Sequence, residues 1–160
     1  MAYTTTGTIT GMDVFQRAIT MMDELDDSGK YRHDDTVEYQ NRTLAILNIL
    51  QGELYFHSDT FPKWQEWEAG RRPVLMPLTD LYTAIDLDDY CAGTVMPYGL
   101  AAHLLLDENP TAAGFFEQRY EELLRGLMSG RGKITASEDI EDVYGPKGGI
   151  HPYNEFSRWL

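Results

Sequence analysis

The chain has 160 residues and a mass of 18.3 kDa, one domain's worth of polypeptide, which buries roughly 68–70% of its unfolded surface behind a single core. Apolar residues make up 42% and charged residues 24%, so neither a wholly disordered chain nor a membrane protein fits. Thirteen Lys and Arg against twenty-six Asp and Glu leave a net charge of −13, which argues against wrapping or reading nucleic acid. Cys91 is the only cysteine, so no disulfide or thiolate cluster can form within one chain, and a reducing intracellular setting is expected. The Thr-rich start, Met1 to Gly11, lacks the basic and apolar regions of a secretory signal and is expected to be a flexible segment over residues 1–9. The uncharged stretch Ala92 to Leu106 falls short of the roughly 20 residues that span a bilayer, and no membrane contact is expected.

Thr10 before Gly11-Met12-Asp13 has the form of a capping box with Asp in place of the usual Glu. It predicts a first helix whose buried face carries Phe15, Ala18, Ile19, Met22 and Leu25, with Asp13, Gln16 and Arg17 in water. Asp26-Asp27-Ser28-Gly29 is expected to end it. A second helix is predicted from Asp34-Asp35-Thr36 through Val37, Leu44, Leu47, Leu50 and Leu54. Its middle, Leu44 to Leu50, has only Asn48 as a polar member, which implies burial on more than one side, inside a bundle or against another subunit. Pro62, Gly70, Pro73 and Pro77 break the pattern over residues 58–88, predicting a long projecting loop in which Val74-Leu75-Met76 and Leu78 to Ile85 are short extended pieces, with a short β-hairpin as the alternative to an irregular loop. Trp64 and Trp67 on that loop are candidate partner-binding anchors.

A third helical region runs from Asp88 to Asp107, with Asp86, Asp88 and Asp89 read as caps for its N-terminus. Pro97 within it predicts a kink or a fresh start, and Gly93 and Gly99 let a neighbouring helix approach. Pro110 and Thr111 open a fourth helix with Phe115, Phe116, Tyr120, Leu123, Leu124 and Leu127 on its buried side. The fold class expected is thus mainly α, a bundle of about four helices over residues 10–129, followed by an extended C-terminal tail over residues 130–160. In that tail Tyr153, Phe156 and Trp159 recur every three residues beside Glu155 and Arg158, an adhesive peptide on a flexible arm.

Chemical signatures are few. Glu24 to Asp35 imitates a calcium loop, but Arg32 stands where an oxygen ligand is needed and the terminal Asp is short. His33, His57, His103 and His151 lack the spacing of a zinc site, and His103, on an apolar helix, is expected to be a buried, hydrogen-bonded imidazole. An enzyme centred on His103 and Asp86 to Asp89 would need a deep polar pocket. No catalytic, cofactor or metal site is predicted.

Two segments carry a resemblance: Val95-Met96-Pro97-Tyr98-Gly99-Leu100-Ala101-Ala102-His103-Leu104-Leu105-Leu106, and Gly149-Ile150-His151-Pro152-Tyr153-Asn154-Glu155-Phe156-Ser157-Arg158-Trp159. The first, followed by an acidic turn and the helix Ala113 to Leu124, resembles the small head-tail connector, or adaptor, proteins of tailed bacteriophages and prophages. Met12-Asp13-Val14 and the helix Arg42 to Leu50 fit the same pattern. The resemblance implies a non-catalytic subunit of a homo-oligomeric ring between the portal protein and tail-side neck proteins, with DNA passing through the channel without sequence-specific binding. It places the protein in the host cytoplasm during assembly and then in the virion neck. Partner contacts are then expected at Trp64, Trp67, Tyr153, Phe156, Arg158 and Trp159, and subunit contacts at Ile46, Ile49 and Tyr98. The competing reading is a helical interaction or regulatory module outside virions, using the same aromatic tail.

Overall fold

The computed structural model describes residues 8–24, 29, 34–62, 70–71 and 73–131. The chain divides into two compact units, Met1–Leu127 and Met128–Leu160, and all described residues except the last turn of α4 belong to the first. Four α-helices are described: α1 (Gly11–Met21), α2 (Asp34–Leu54), α3 (Met96–Leu105) and α4 (Pro110–Arg131). A 3₁₀ turn (Tyr55–His57) extends α2, and a π-helical turn (Cys91–Val95) leads into α3. No strand occurs among the described residues; the only pairing is an isolated antiparallel bridge between Thr10 and Ala84. No described helix is long and apolar enough to cross a membrane.

The N-terminus of α1 is the predicted capping box: Asp13 N–H donates to Thr10 Oγ1 at 3.2 Å and Thr10 N–H donates to Asp13 Oδ2 at 2.9 Å. These bonds hold the Asp13 carboxyl below its ordinary acidity range. Its C-terminus comes earlier than the sequence suggests. Gly29 is left-handed as expected, at φ 76°, but the helix has already stopped at Asp23, which takes the same conformation at φ 60°. Glu24 N–H then reaches Ile19 O at 3.1 Å and Asp23 N–H reaches Thr20 O at 3.3 Å, the paired bonds of a Schellman cap. Leu25 and the end expected at Asp26 to Ser28 lie outside the described residues.

The central helix is α3. Met96, Gly99, Leu100, Ala101, Leu104 and Leu105 are all buried, so apolar residues occupy most of its circumference, and α1 and α2 both pack along it. By contrast α2, expected to be buried on more than one side, buries a single face through Thr36, Tyr39, Thr43, Leu47, Leu50, Gln51 and Leu54. Val37 sits one helical step off that face and is exposed, and Ile49 is 57% exposed. The close packing is set by Gly99, where a Cβ would come within 2.8 Å of Leu50 Cδ2 and 3.1 Å of the Tyr120 ring. Two phenols tie the layers together. Tyr120 donates to Glu53 at 2.8 Å, linking α4 to α2, and Tyr39 donates to Glu108 in the turn between α3 and α4. Burial, with the hydrogen-bonded carboxylate adding to it, pushes both phenols above their ordinary pKa. Among the described residues neither polar atom of the buried Gln51 amide has a hydrogen-bond partner, a cost of roughly 1–3 kcal/mol.

The irregular segment after α2 is held by side chains instead of a ladder. Asn48, the lone polar residue in the apolar run of α2, acts as a surrogate strand: its Oδ1 accepts from Leu78 N–H at 2.7 Å while its Nδ2 donates to Leu78 O at 3.2 Å. Asp80 Oδ1 accepts from Tyr82 N–H and Thr83 N–H at 2.7 and 2.8 Å and so turns the chain. Leu78, Leu81, Ile85 and Leu87 are thereby buried, and Met12 N–H and Ile85 N–H donate to Leu81 O and Ile9 O. This half of the segment packs onto the helices; the half carrying Trp64 and Trp67 lies outside the described residues.

Two outcomes are expected. Asn48→Ala removes both bonds to Leu78 and lowers stability by about 2 kcal/mol, measured by urea unfolding; the same variant accelerates proteolysis between residues 73 and 82 under native conditions. Asp23→Gly relieves the left-handed backbone and removes a negative charge from the helix C-terminus, raising stability by roughly 0.5–1 kcal/mol in the same assay.

Candidate interaction surfaces

The entry into α3 is shaped by one residue. Pro97 has no N–H, so the carbonyl four residues earlier, that of Gly93, loses its helical donor. The chain widens there into the π turn, in which Met96 N–H bonds Cys91 O. The predicted break near Pro97 thus takes the form of a register change followed by a fresh start. Arg17 of α1 occupies the gap, its Nη1 donating to Gly93 O at 2.5 Å. The approach is possible because residue 93 is glycine: a Cβ there would lie 2.5 Å from Arg17 Nη1 and 2.6 Å from Ile9 Cδ1.

Between α1 and this turn runs an open groove of about 560 Å³. Asp13, Gln16, Arg17 and Thr20, three and four residues apart on α1, form one wall; Gly93, Thr94, Pro97 and Tyr98 form the other, and Met21 closes one end. Among the described residues no carboxylate lies within ion-pair distance of the Arg17 guanidinium, whereas Arg42, Arg119 and Arg125 pair with Asp107, Glu122 and Glu121. A second groove, of about 620 Å³, lies on the other side of Met21, against Leu105, Phe115 and Phe116. The Tyr98 and Phe116 rings sit 6.3 Å apart, and those of Phe116 and Phe115 5.6 Å apart, forming an aromatic row between the two grooves.

Of the expected subunit contacts, Tyr98 is half-buried in the first groove. Ile46 is half-buried against the core and Ile49 exposed, both on α2, and neither lines either of these two grooves. Trp64, Trp67, Tyr153, Phe156, Arg158 and Trp159 lie outside the described residues, as do the whole expected tail beyond Arg131, residues 1–7 and most of the Glu24 to Asp35 imitation of a calcium loop. The sequence places Phe115 on the buried side of α4; it is 64% exposed, because Ala113, Phe116 and Tyr120 take the buried stripe and residue 115 falls one step outside it. His103 is likewise exposed, not a buried imidazole; its carbonyl accepts from Arg42 Nη2 at 3.4 Å, placing a cation at the α3 C-terminus. Further apolar side chains stand in solvent on the segment before Leu78, with Val74 82% and Met76 72% exposed.

Of the acidic cluster before α3, Asp88 is the cap. Asp88 Oδ1 accepts from Tyr90 N–H and Cys91 N–H at 3.0 and 2.9 Å, and its Oδ2 accepts from Asp59 N–H at 2.9 Å. Its own N–H donates to Ser58 Oγ at 2.8 Å. The two ends of the long segment are therefore knotted together. Burial works against the Asp88 charge, but the N–H groups of Cys91 and Asp59 outweigh it and hold its carboxyl below the ordinary value of 3.8. Among the described residues no group of three or more His, Cys, Asp or Glu side chains is arranged to hold a metal ion. Compared with protein-family models, curated proteins and solved structures, the chain matches none.

Because the folded carboxyl is the stronger acid, its contribution to stability is full above the unfolded value and is lost as pH falls through the folded one. Asp88→Asn is therefore expected to lower stability by about 1 kcal/mol at pH 7, with the gap to the unaltered protein closing as pH falls below about 4. Thermal unfolding from pH 7 down to pH 2.5 follows it; a gap that stays constant would assign the cap no charge dependence.

Proposed function

We propose that this chain is a structural subunit of a phage or prophage head-tail connector, forming a ring between the portal and the tail, with contacts supplied by exposed apolar side chains and by the C-terminal arm. The observation that carries the reading is the apolar surplus of the first unit: Ile49, Val74, Met76, Leu106 and Phe115 remain more than half exposed beside a core that is already closed. Side chains of this kind are covered when subunits associate. A ring uses heterologous contacts, one patch of each copy meeting a different patch of the next, and the aromatic row at Tyr98, Phe116 and Phe115 and the α2 residues Ile46 and Ile49 offer two such patches. The order of helices and the segments Val95 to Leu106 and Gly149 to Trp159 add the resemblance to adaptor proteins. The net charge of −13 suits a wall past which DNA slides without adhering.

Light scattering coupled to size-exclusion chromatography, with the full chain alone and mixed with the portal ring from the same genome, tests the proposal. A ring-sized assembly, or co-elution with portal, is expected. Ile49→Asp should abolish it while leaving helicity and melting temperature within a few degrees, because residue 49 faces solvent. A strict monomer that ignores the portal overturns the proposal.

A further inference from the structure

The groove between α1 and the π turn has a feature that the ring reading does not explain: a cation oriented by a backbone carbonyl, with no carboxylate of the described residues within ion-pair distance and only Asp13 of its own helix acting on it electrostatically, in a chain that carries twice as many acids as bases. Arg17 is exposed but anchored. One guanidinium nitrogen is fixed by the Gly93 carbonyl, which leaves other N–H groups of a planar fork available to a carboxylate. Around it stand the hydroxyl side chains Thr20 and Thr94 and the apolar surfaces of Met21, Pro97 and Tyr98. Asp13, four residues before Arg17 on the same wall, adds one negative group. A ligand complementary to these features is a short peptide with a carboxylate flanked by aromatic side chains and a cation about one helical turn away.

We infer that the groove receives the segment Gly149–Leu160 of a neighbouring copy, with Glu155 on Arg17, Arg158 towards Asp13, and Tyr153 or Phe156 against Tyr98 and Met21. The segment has the required composition in the required order: Tyr153, Glu155, Phe156, Arg158 and Trp159. The connection is long enough. Residues 132–148, between the last described residue and this segment, reach at most about 60 Å when extended, while a compact unit of this size is roughly 35 Å across. The inference deepens the connector reading by naming the receiving surface of the arm, and it rests on that reading for the presence of neighbouring copies.

The test uses full-length chains and a fluorescent peptide of residues 149–160. The acceptor is the chain carrying Phe156→Ser and Trp159→Ser, whose own segment is disabled and whose groove is intact. Fluorescence anisotropy is expected to show saturable peptide binding, weakened at least tenfold by adding Arg17→Glu to the acceptor and also by adding Tyr98→Ala. A peptide carrying Glu155→Arg should bind the Arg17→Glu acceptor better than the unaltered peptide does; this rescue cannot arise from misfolding. Mixing the Arg17→Glu chain with the Phe156→Ser, Trp159→Ser chain should give dimers by light scattering where neither associates through this contact alone, which places the contact between copies. Peptide binding that is absent, or equal for acceptors with and without Arg17→Glu, overturns the inference, as does a failed rescue. The two readings separate cleanly: a chain that joins the portal but does not bind the peptide loses only the groove assignment, and one that binds the peptide but ignores the portal loses only the connector assignment.

Discussion

A ten-residue helix with apolar side chains around most of its circumference must be enclosed, and the burial of α3 is the constraint to which the rest of the described chain answers. Fully burying a side chain such as Leu100 or Leu104 stabilises by roughly 1.5–3 kcal/mol, but only if every side is covered. α1 and α2 cover two sides, α4 contributes Phe116 and Tyr120, and the irregular chain from Leu78 to Leu87 completes the core. Gly99 sets how near α2 and α4 can come, and Gly93 does the same for α1 and the chain before it. Both glycines matter for the space their missing side chains leave.

Covering a core with irregular chain creates a problem that a helix solves internally: its backbone groups need partners. Here the partners are few and come from side chains and from the chain entering α1, which bonds Leu81 and Ile85. Asn48 meets both backbone groups of Leu78, and Asp88 closes the base of the segment by donating its N–H to Ser58 Oγ and accepting from Asp59 N–H. These polar side chains decide where the segment lies more than its apolar residues do, since Leu or Ile could pack in several registers and a bidentate amide in one. Gln51 shows the opposite case, a buried amide that pairs with nothing among the described residues and so lowers stability.

The same backbone logic produces the groove. Proline withdraws a donor, the helix widens by one residue, and the released carbonyl fixes an arginine from another helix. A local defect in α3 is thereby converted into a surface cation of defined orientation, with Tyr98 lining the same groove. Exposed apolar residues elsewhere, on α2, on α4 and before Leu78, have no such polar centre; they supply contact area, while the groove supplies direction.

Much of the helical framework was legible in the sequence because its signals are local: the Thr10 and Asp13 box, the helix opened by Pro110, the interruption at Pro97 and the capping role of Asp88 each depend on residues within a few positions of one another. What periodicity could not decide was which of two apolar helices is central, since α2 and α3 both carry long greasy runs and only their packing assigns Ile49 to solvent and Leu100 to the core. Positions one step apart on a helix, Phe115 and Phe116 or Thr36 and Val37, were equally undecidable, because 100° of rotation is smaller than the uncertainty in where a neighbour will lie. Sequence also gave no sign that Asn48 would bind a residue thirty positions away or that Arg17 would reach Gly93. Covalent neighbours dictate where a helix begins and breaks; which side chains then meet is decided by how the finished helices crowd one another.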